Sequence, residues 1–261
     1  MLLRTGDFQT FAANGGQPFD PSLPLAVFLH GAGLDHSVWA LHSRWFAHNG
    51  WSVLALDLPG HGRSGGQPLT TIQEMADWLA GLIEAAGAGP AKLIGHSLGS
   101  LIALETAARH PGKVASLGLI GAAAAIPVLP VLLDAAQAGD HAAIDMMSIW
   151  GTGFSAGLGG SQAPGLWMLG AAERLLERAR PGVLFADLAA CNAYEGGLEA
   201  ASRISVPATL VLGARDRMTT LKAGRALGAA LSNARVVVIP GAGHMLMAER
   251  PGDVLEALSS V

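Results

Sequence analysis

Short, mostly apolar runs recur along the chain and alternate with segments of helical periodicity. Six of these runs span seven residues or fewer: Leu25–Leu29, Trp51–Leu56, 91–94, Val114–Ile120, Ala208–Gly213 and Arg235–Ile239. Strands that are apolar on both faces and alternate with helices are typical of a parallel sheet covered on both sides. With two further short strands within residues 2–12, the pattern predicts an α/β fold with a mostly parallel, eight-stranded sheet.

The segments between these runs predict the helices that flank the sheet. Helical spacing of apolar residues extends from Val38 to His48, from Leu98 to Arg109 and from about Thr219 to Leu231. In the second of these helices, Glu105 is expected to point outward. A Thr71-x-x-Glu74 capping box predicts the start of a further helix, which runs to about Ala86.

The alternation stops between Ala122 and Arg203, where no strand pattern is found. Helices are predicted there at Pro130–Ala138, Ala142–Trp150, Leu166–Arg178 and Gly182–Ala193, with a glycine-rich link at Gly151–Gly165. We therefore predict a core formed by residues 1–121 and 204–261 and a helical cap, or lid, formed by residues 122–203. The lid is expected to cover an apolar substrate pocket lined by Trp150, Phe154, Trp167 and, from the core, His30.

Composition and charge narrow the class of protein. The chain has 261 residues, of which 51% are hydrophobic and 14% charged, and a net charge of −4. These values favour a large core and predict no binding to nucleic acid or anionic lipid. The single cysteine, Cys191, excludes an internal disulfide. No signal peptide is predicted, so a cytoplasmic location is expected. Val114–Leu133 is uncharged, but its glycines and prolines argue against a membrane span.

The sequence Gly95-x-Ser97-x-Gly99 lies between an apolar run and a predicted helix. In a strand–turn–helix context this pattern predicts a serine held on a strained turn at the edge of the sheet. The glycines provide room where a side chain would collide with the neighbouring strand and helix. The helix start beneath the hydroxyl favours negative charge. Ser97 is therefore the candidate nucleophile.

A serine nucleophile needs a base, and the base needs a carboxylate partner. His244 follows the last apolar run and Asp216 the preceding one, which places both at the same edge of the sheet as Ser97. Asp57 also follows a strand, but we interpret it as a structural residue of its loop. The backbone amides of Leu98 and Ala32 are the candidate oxyanion donors. His96 is expected only to pack.

Taken together, these motifs resemble the α/β-hydrolase superfamily, in its lid-bearing branch of serine esterases, perhydrolases and C–C hydrolases. The resemblance rests on His30-Gly31-x-Gly33, Asp57-x-Pro59-Gly60-x-Gly62-x-Ser64, Gly95-x-Ser97-x-Gly99, Asp216, and Gly243-His244 with Glu249-x-Pro251. It covers the chain from Leu25 to about Gly121 and from Ala208 onward. The resemblance implies a hydrolase without cofactor or metal that uses the triad Ser97, Asp216 and His244.

The predicted reaction is hydrolysis of a small to medium, largely apolar carboxylic ester through an acyl-serine intermediate. C–C bond hydrolysis, perhydrolysis, thioester cleavage and acyl transfer on the same triad stay open as alternatives, because the fold does not fix the reaction. A ligand-binding protein with little turnover is a further alternative. Residues 60–65 fit Gly-x-Gly-x-x-Gly, but Gly66-Gln67-Pro68 prevents the helix that a dinucleotide site needs. The oligomeric state stays open.

Overall fold

Eight strands form one sheet in the computed structural model, which describes residues 1–160 and 167–259. They are β1 (Leu2–Thr5), β2 (Phe8–Ala13), β3 (Leu25–Leu29), β4 (Ser52–Leu56), β5 (Ala91–His96), β6 (Val114–Ile120), β7 (Ala208–Gly213) and β8 (Ala234–Ile239). Their order across the sheet is β1-β2-β4-β3-β5-β6-β7-β8. The β1–β2 and β2–β4 pairs are antiparallel and all other pairs are parallel. The predicted sheet is confirmed.

Neighbouring side chains of the central strands point to opposite faces of the sheet, and both faces are covered. Val27 belongs to one hydrophobic core and Phe28 to the other, and both side chains are fully buried. This arrangement explains why the strands are apolar along their whole length rather than at every second position. Burial on both faces requires a layer of helices on each side of the sheet.

The described residues form twelve α-helices. These are α1 (Ala40–Ala47), α2 (Ile72–Ala85), α3 (Leu98–Arg109), α4 (Pro130–Ala138), α5 (Ala142–Gly151), α6 (Phe154–Gly157), α7 (Met168–Glu177), α8 (Val183–Ala193), α9 (Gly197–Ser202), α10 (Leu221–Ala230), α11 (Leu246–Glu249) and α12 (Pro251–Ser259). Helices α2, α3 and α10 cover one face of the sheet, and α1 and α12 cover the other. The capping box that starts α2 is present, since Thr71 accepts from the amide of Glu74 and the Glu74 carboxylate accepts in return.

Helices α4 to α9 lie between β6 and β7, within residues 122–203, which we call the insert. Four of them match the predicted helices. The other two, α6 and α9, have only four and six residues, too few for an apolar period to be visible in the sequence. The predicted helix start at Leu166 and the last part of the predicted glycine-rich link lie outside the described residues. No helix among the described residues has the length and apolar character to cross a membrane. The division into core and lid stays a prediction.

Glu105 departs from the sequence expectation. It was expected to face solvent, but it is 5% exposed and accepts a hydrogen bond of 2.7 Å from the hydroxyl of Tyr194. Tyr194 directly follows α8, and the insert covers this side of α3. The prediction was wrong because a helical period identifies the faces of a helix but does not show which of them a distant segment of the chain will cover.

The carboxyl ends of the parallel strands lie level at one edge of the sheet. Leu29 of β3 pairs with Gly95 of β5, and His96 of β5 pairs with Ile120 of β6. On the other side, Gly213 of β7 pairs with Ile239 of β8. The loops that begin at these residues therefore meet at a single edge, which is where ligands bind in open α/β sheets.

Candidate active site

Ser97 adopts a backbone conformation that L-residues rarely take. Its φ is 53° and its ψ is −117°, and no other described residue except glycine has a positive φ. The Ser97 amide donates to the carbonyl of Ile120 at 3.0 Å, which fixes the turn against β6. A Cβ atom on Gly95 would collide with the backbone of Gly99, and one on Gly99 would collide with the carbonyl of Leu29. The strand–turn–helix geometry predicted around the serine is present.

His244 and Asp216 lie in direct hydrogen-bond contact. The Nδ1 atom of His244 is 2.8 Å from Oδ2 of Asp216, and both side chains are almost completely buried. The hydroxyl of Thr219 also donates to Oδ2, at 2.7 Å, and the amides of Met218 and Thr219 donate to Oδ1 at 2.8 Å each. Asp216 is therefore fixed from both of its oxygen atoms.

The ionisation of Asp216 follows from these contacts. Burial alone would raise the pKa of Asp216. The attraction of His244 and the hydrogen bonds from His244 and Thr219 outweigh burial and hold the pKa of this carboxyl below its ordinary value. Asp216 thus stays ionised and can stabilise a positive charge on His244. Thr219 is a member of this group that the sequence analysis did not identify.

The main chain around His244 is tied to the insert. The carbonyl of Gly151, at the end of α5, accepts hydrogen bonds of 3.0 Å from the amides of His244 and Met245. The buried carboxylate of Glu249 accepts from the amide of Gly243 at 2.8 Å and from the amide of Gly153 at 3.1 Å. Glu249 entered the sequence analysis only as part of a motif, and these contacts give it a definite place in the site.

His96 connects the nucleophile turn to the histidine loop. Its Nε2 atom donates to the carbonyl of His244 at 3.0 Å, and the two rings lie 4.7 Å apart. Burial and the neighbouring His244 lower the pKa of His96 to about 3, so this ring is neutral and carries its proton on Nε2. The expectation that His96 only packs missed this hydrogen bond, because its acceptor is 148 residues away.

One cavity brings three of the candidate residues together: Ala32, Ser97 and His244. Its lining consists of Gly31, Ala32, Leu34, His96, Ser97, Met147, Gly151, Ala172, Leu176, Met218, His244 and Met245. Asp216 lies behind the imidazole of His244, as its hydrogen bond requires. The backbone amides of Ala32 and Leu98 donate to no acceptor within residues 1–160 and 167–259. Ala32 lines the cavity together with Ser97, and Leu98 directly follows Ser97, so both amides stay candidate oxyanion donors.

The four side chains predicted to line the substrate pocket are not among those lining this cavity. Phe154 is 84% exposed and Trp167 is 67% exposed. Trp150 is half-buried against the core. His30 is fully buried; its Nε2 accepts from the amide of Leu58, and its Nδ1 donates to the carbonyl of Gly31. The insert instead contributes Met147, Ala172 and Leu176 to the cavity.

A larger apolar cavity adjoins the one at Ser97. It has a volume of about 450 Å³ and shares two lining residues with its neighbour, Ala172 of α7 and Met245. Most of its wall is formed by aliphatic and methionine side chains from the insert and the core. Arg174 and Arg178 also line it. Each of these two arginines is paired with an acidic side chain, Glu177 and Asp35 respectively.

A group of potential metal ligands, Asp35, His36 and Asp57, has its ligand atoms within 4.8 Å of one another. These atoms already have partners. Asp57 Oδ1 accepts from the amide and Nδ1 of His36, and Oδ2 accepts from the amide of Arg63. Asp35 Oδ1 accepts from the amide of Ser37. Hydrogen bonds within the loops therefore account for the group, and those of Asp57 are consistent with the structural role predicted for it.

A serine on a strained turn, at the carboxyl edge of a mostly parallel eight-stranded sheet, is the arrangement of the α/β hydrolases. The model of the Alpha/beta hydrolase family matches residues 26–258. The chain belongs to this family, and the resemblance noted in the sequence is confirmed.

Esterases are among the relatives of the chain. It is 34% identical over 247 residues to a pimeloyl-(acyl-carrier protein) methyl ester esterase of Chromobacterium violaceum, covering 90% of this chain and 93% of that protein. An esterase of the same description from Neisseria meningitidis serogroup B is 33% identical over 209 residues, which cover 74% of this chain and 76% of that protein. The crystal structure of the enol-lactonase from Burkholderia xenovorans LB400 superimposes with a TM-score of 0.88 and 22% identity, covering 100% of this chain and 98% of that one.

Proposed function

We propose that the chain is a serine hydrolase that cleaves carboxylic esters through an acyl-serine intermediate, with Ser97, His244 and Asp216 as its triad. The observation that carries this proposal is the 2.8 Å contact between His244 Nδ1 and Asp216, behind a cavity lined by both His244 and Ser97. With Nδ1 donating to Asp216, the Nε2 atom of the same ring is the one left to accept a proton.

In the first half of the reaction, His244 Nε2 takes the proton of the Ser97 hydroxyl as the oxygen attacks the ester carbonyl carbon. The carbonyl oxygen becomes an oxyanion, which accepts hydrogen bonds from the amides of Ala32 and Leu98. When the carbon–oxygen ester bond breaks, His244 returns the proton to the leaving alcohol. Throughout this step the ionised carboxylate of Asp216 stabilises the positive charge on the imidazole.

In the second half, His244 takes a proton from a water molecule, and the hydroxide attacks the acyl-serine. The bond to the Ser97 oxygen breaks, and His244 returns the proton to that oxygen. The products are a carboxylic acid and the free enzyme. No cofactor or metal enters the proposed mechanism.

The cavities favour a small or medium, largely apolar acyl group. The narrow cavity at Ser97 holds the reacting carbonyl, and an apolar chain extends past Ala172 and Met245 into the larger one of about 450 Å³. The names of the relatives, methyl ester esterases, support a small alcohol on the other side of the ester. A small-molecule ester and a cytoplasmic location are part of this proposal.

The test uses a fluorophosphonate probe and a panel of substrates. The probe is expected to label Ser97 in the wild-type protein, as mapped by peptide mass spectrometry. The variant Ser97→Ala is expected to lose labelling and at least about 10³-fold in ester turnover while it keeps its fold. Ser43→Ala, which removes a buried hydroxyl of α1 that lines neither of the two cavities, is the matched control.

The panel contains aryl esters of increasing acyl length, lactones, thioesters and diketones. Preferential turnover of the esters supports the proposal, and preferential turnover of the thioesters or diketones identifies one of the alternative reactions on the same triad. A wild-type protein that is neither labelled nor active on any member contradicts the proposal and supports the alternative of a binding protein.

A further inference from the structure

Asp187, in the middle of α8, is a fully buried carboxylate to which the proposed mechanism gives no role. Its Oδ2 atom accepts two hydrogen bonds of 2.8 Å, one from the amide of Gly33 and one from Nε2 of His61. Its Oδ1 atom has no hydrogen-bond partner within the described part of the chain. One oxygen atom thus ties a helix of the insert to the loop after β3 and to the loop after β4.

His61 carries a positive charge opposite Asp187. Its Nε2 faces the carboxylate, and its Nδ1 lies 3.0 Å from the carbonyl of Pro59. Because both neighbours are acceptors, both ring nitrogens carry protons. Burial alone would lower the pKa of His61, but the attraction and hydrogen bond of Asp187 outweigh it and raise this pKa. The pair is therefore a charge-assisted contact that holds the carboxylate in place.

The contacts of Asp187 lie next to the peptide that carries an oxyanion donor. The carbonyl of Gly31 accepts from Nδ1 of His30 at 2.9 Å and from the amide of Leu34 at 3.2 Å. In a planar trans peptide the carbonyl and the following amide point in opposite directions. The amide of Ala32 is thus directed away from His30, and Asp187 fixes the next amide, that of Gly33.

The approach of α8 to this turn is close. The φ of Gly33 is 69°, and a Cβ atom on it would lie 2.9 Å from Leu184 of α8 and 3.0 Å from Leu176 of α7. The turn therefore has the insert directly against it, and Asp187 supplies the acceptor at this contact.

We propose that Asp187 is a positioning residue for the oxyanion hole: by holding the Gly33 amide, it sets the turn that presents the Ala32 amide to the substrate carbonyl oxygen. This inference rests on the proposed function. Removing a whole oxyanion donor lowers kcat by about 10²–10³. Loss of the Asp187 acceptor would displace the Ala32 amide rather than remove it, so only part of that factor would be lost. We therefore expect kcat to fall roughly 10-fold or more.

The experiment compares Asp187→Leu, which removes the acceptor and keeps the branched shape of the side chain, with Asp187→Asn, which keeps an acceptor without the charge. The Leu variant is expected to lower kcat for the best ester at least about 10-fold, with KM within about threefold. Its affinity for a trifluoromethyl ketone, which forms an oxyanion on Ser97, is expected to fall by the same factor. The kcat and the inhibitor affinity of the Asn variant are expected to lie between those of the Leu variant and those of wild type.

Cys191→Ala is the matched control, because Cys191 is a buried side chain one turn further along α8. Its kcat and inhibitor affinity are expected to stay within about twofold of wild type. An Asp187→Leu variant that is less stable but keeps its kcat and inhibitor affinity overturns the inference. If that variant does not fold, Asp187→Asn decides, and a kcat within twofold of wild type overturns it. Absence of labelling and turnover in the wild-type protein contradicts the proposed function instead.

Discussion

Three buried, neutral histidines predict that mild acid destabilises the folded protein. Burial is the main cause that lowers the pKa of His30 and of His42 to about 4 and that of His96 to about 3. In an unfolded chain the pKa of histidine is about 6.5. The unfolded state therefore binds protons first, so the free energy of unfolding is greatest above about pH 6.5 and decreases as the pH falls toward the folded-state values.

The size of the effect follows from proton binding alone. For each pH unit of acidification over which the unfolded state binds one more proton than the folded state, the free energy of unfolding falls by about 1.4 kcal/mol. Between pH 7 and pH 5 this amounts to about 2 kcal/mol for each of the three histidines, or roughly 6 kcal/mol in all. That is a large share of the 5–15 kcal/mol typical of a domain.

His61 acts in the opposite direction. The pKa of His61 is raised in the folded state. Its contribution to the free energy of unfolding is therefore fully present below about pH 6.5 and is lost as the pH rises through the folded-state pKa. Between pH 7 and pH 5, this gain from His61 offsets only a small part of the stability that the three buried histidines lose. The lowered pKa values of Asp57 and Asp216 matter at a lower pH, since unfolded aspartate titrates near 3.9.

The assay is urea denaturation at pH 7, 6 and 5, for wild type and for His42→Gln. The ring of His42 contacts the carbonyl of Pro251 and does not line the cavity at Ser97. The Gln variant keeps a donor there but cannot titrate, so its loss between pH 7 and pH 5 should be smaller by about 2 kcal/mol. His48→Gln, at an exposed position, is the control. A wild-type loss below about 1 kcal/mol, or an equal loss in the His42 variant, refutes the reasoning.

Three other substitutions test the roles of residues in the insert, one through stability and two through kinetics. Tyr194→Phe should lower the free energy of unfolding by about 1–3 kcal/mol in urea, because it removes the buried hydrogen bond to Glu105; an unchanged value contradicts that role. Ala172→Phe should narrow the junction of the two cavities. We expect kcat/KM to fall at least about 10-fold for long acyl esters and to change little for acetyl esters. An equal fall for both kinds of ester argues against the proposed acyl site. Phe154→Ser should change the free energy of unfolding by no more than about 0.5 kcal/mol and leave KM unchanged, whereas a raised KM supports the pocket role predicted from the sequence.

The sheet and its edge could be predicted because their signals are local. Strand β3 and helix α3 have the predicted bounds, since an apolar run or a helical period lies within a single segment of chain. The placement of Ser97, Asp216 and His244 followed from one rule, that strand ends in a parallel sheet share an edge. These predictions required no knowledge of which side chains touch.

The pocket could not be predicted in the same way. A helical period in the insert identifies apolar residues, but not whether they face the core, the cavity or solvent. Phe154 and Trp167 are large and apolar, yet both are mostly exposed, while the small Ala172 lies where the two cavities meet. Similarly, the partners of Asp187 are 126 and 154 residues away along the chain. Contacts at that separation leave no trace in the local pattern.

These long-range contacts bear on how a substrate reaches Ser97. The insert accepts hydrogen bonds from the His244 amide through Gly151 and from the Gly33 amide and His61 through Asp187. Moving the whole insert away would leave these donors without acceptors, at about 0.5–1.5 kcal/mol for each neutral bond and about 1.5–3 kcal/mol for each charged one. By contrast, α7 contributes apolar side chains to the cavity at Ser97. The ion pairs at its C-terminal end, Glu177 with His141 and Arg178 with Asp35, each include a well-exposed side chain and therefore contribute little. The hydrogen bonds that position the base and the Gly33 turn therefore favour local displacement of α7 over opening of the insert as one body.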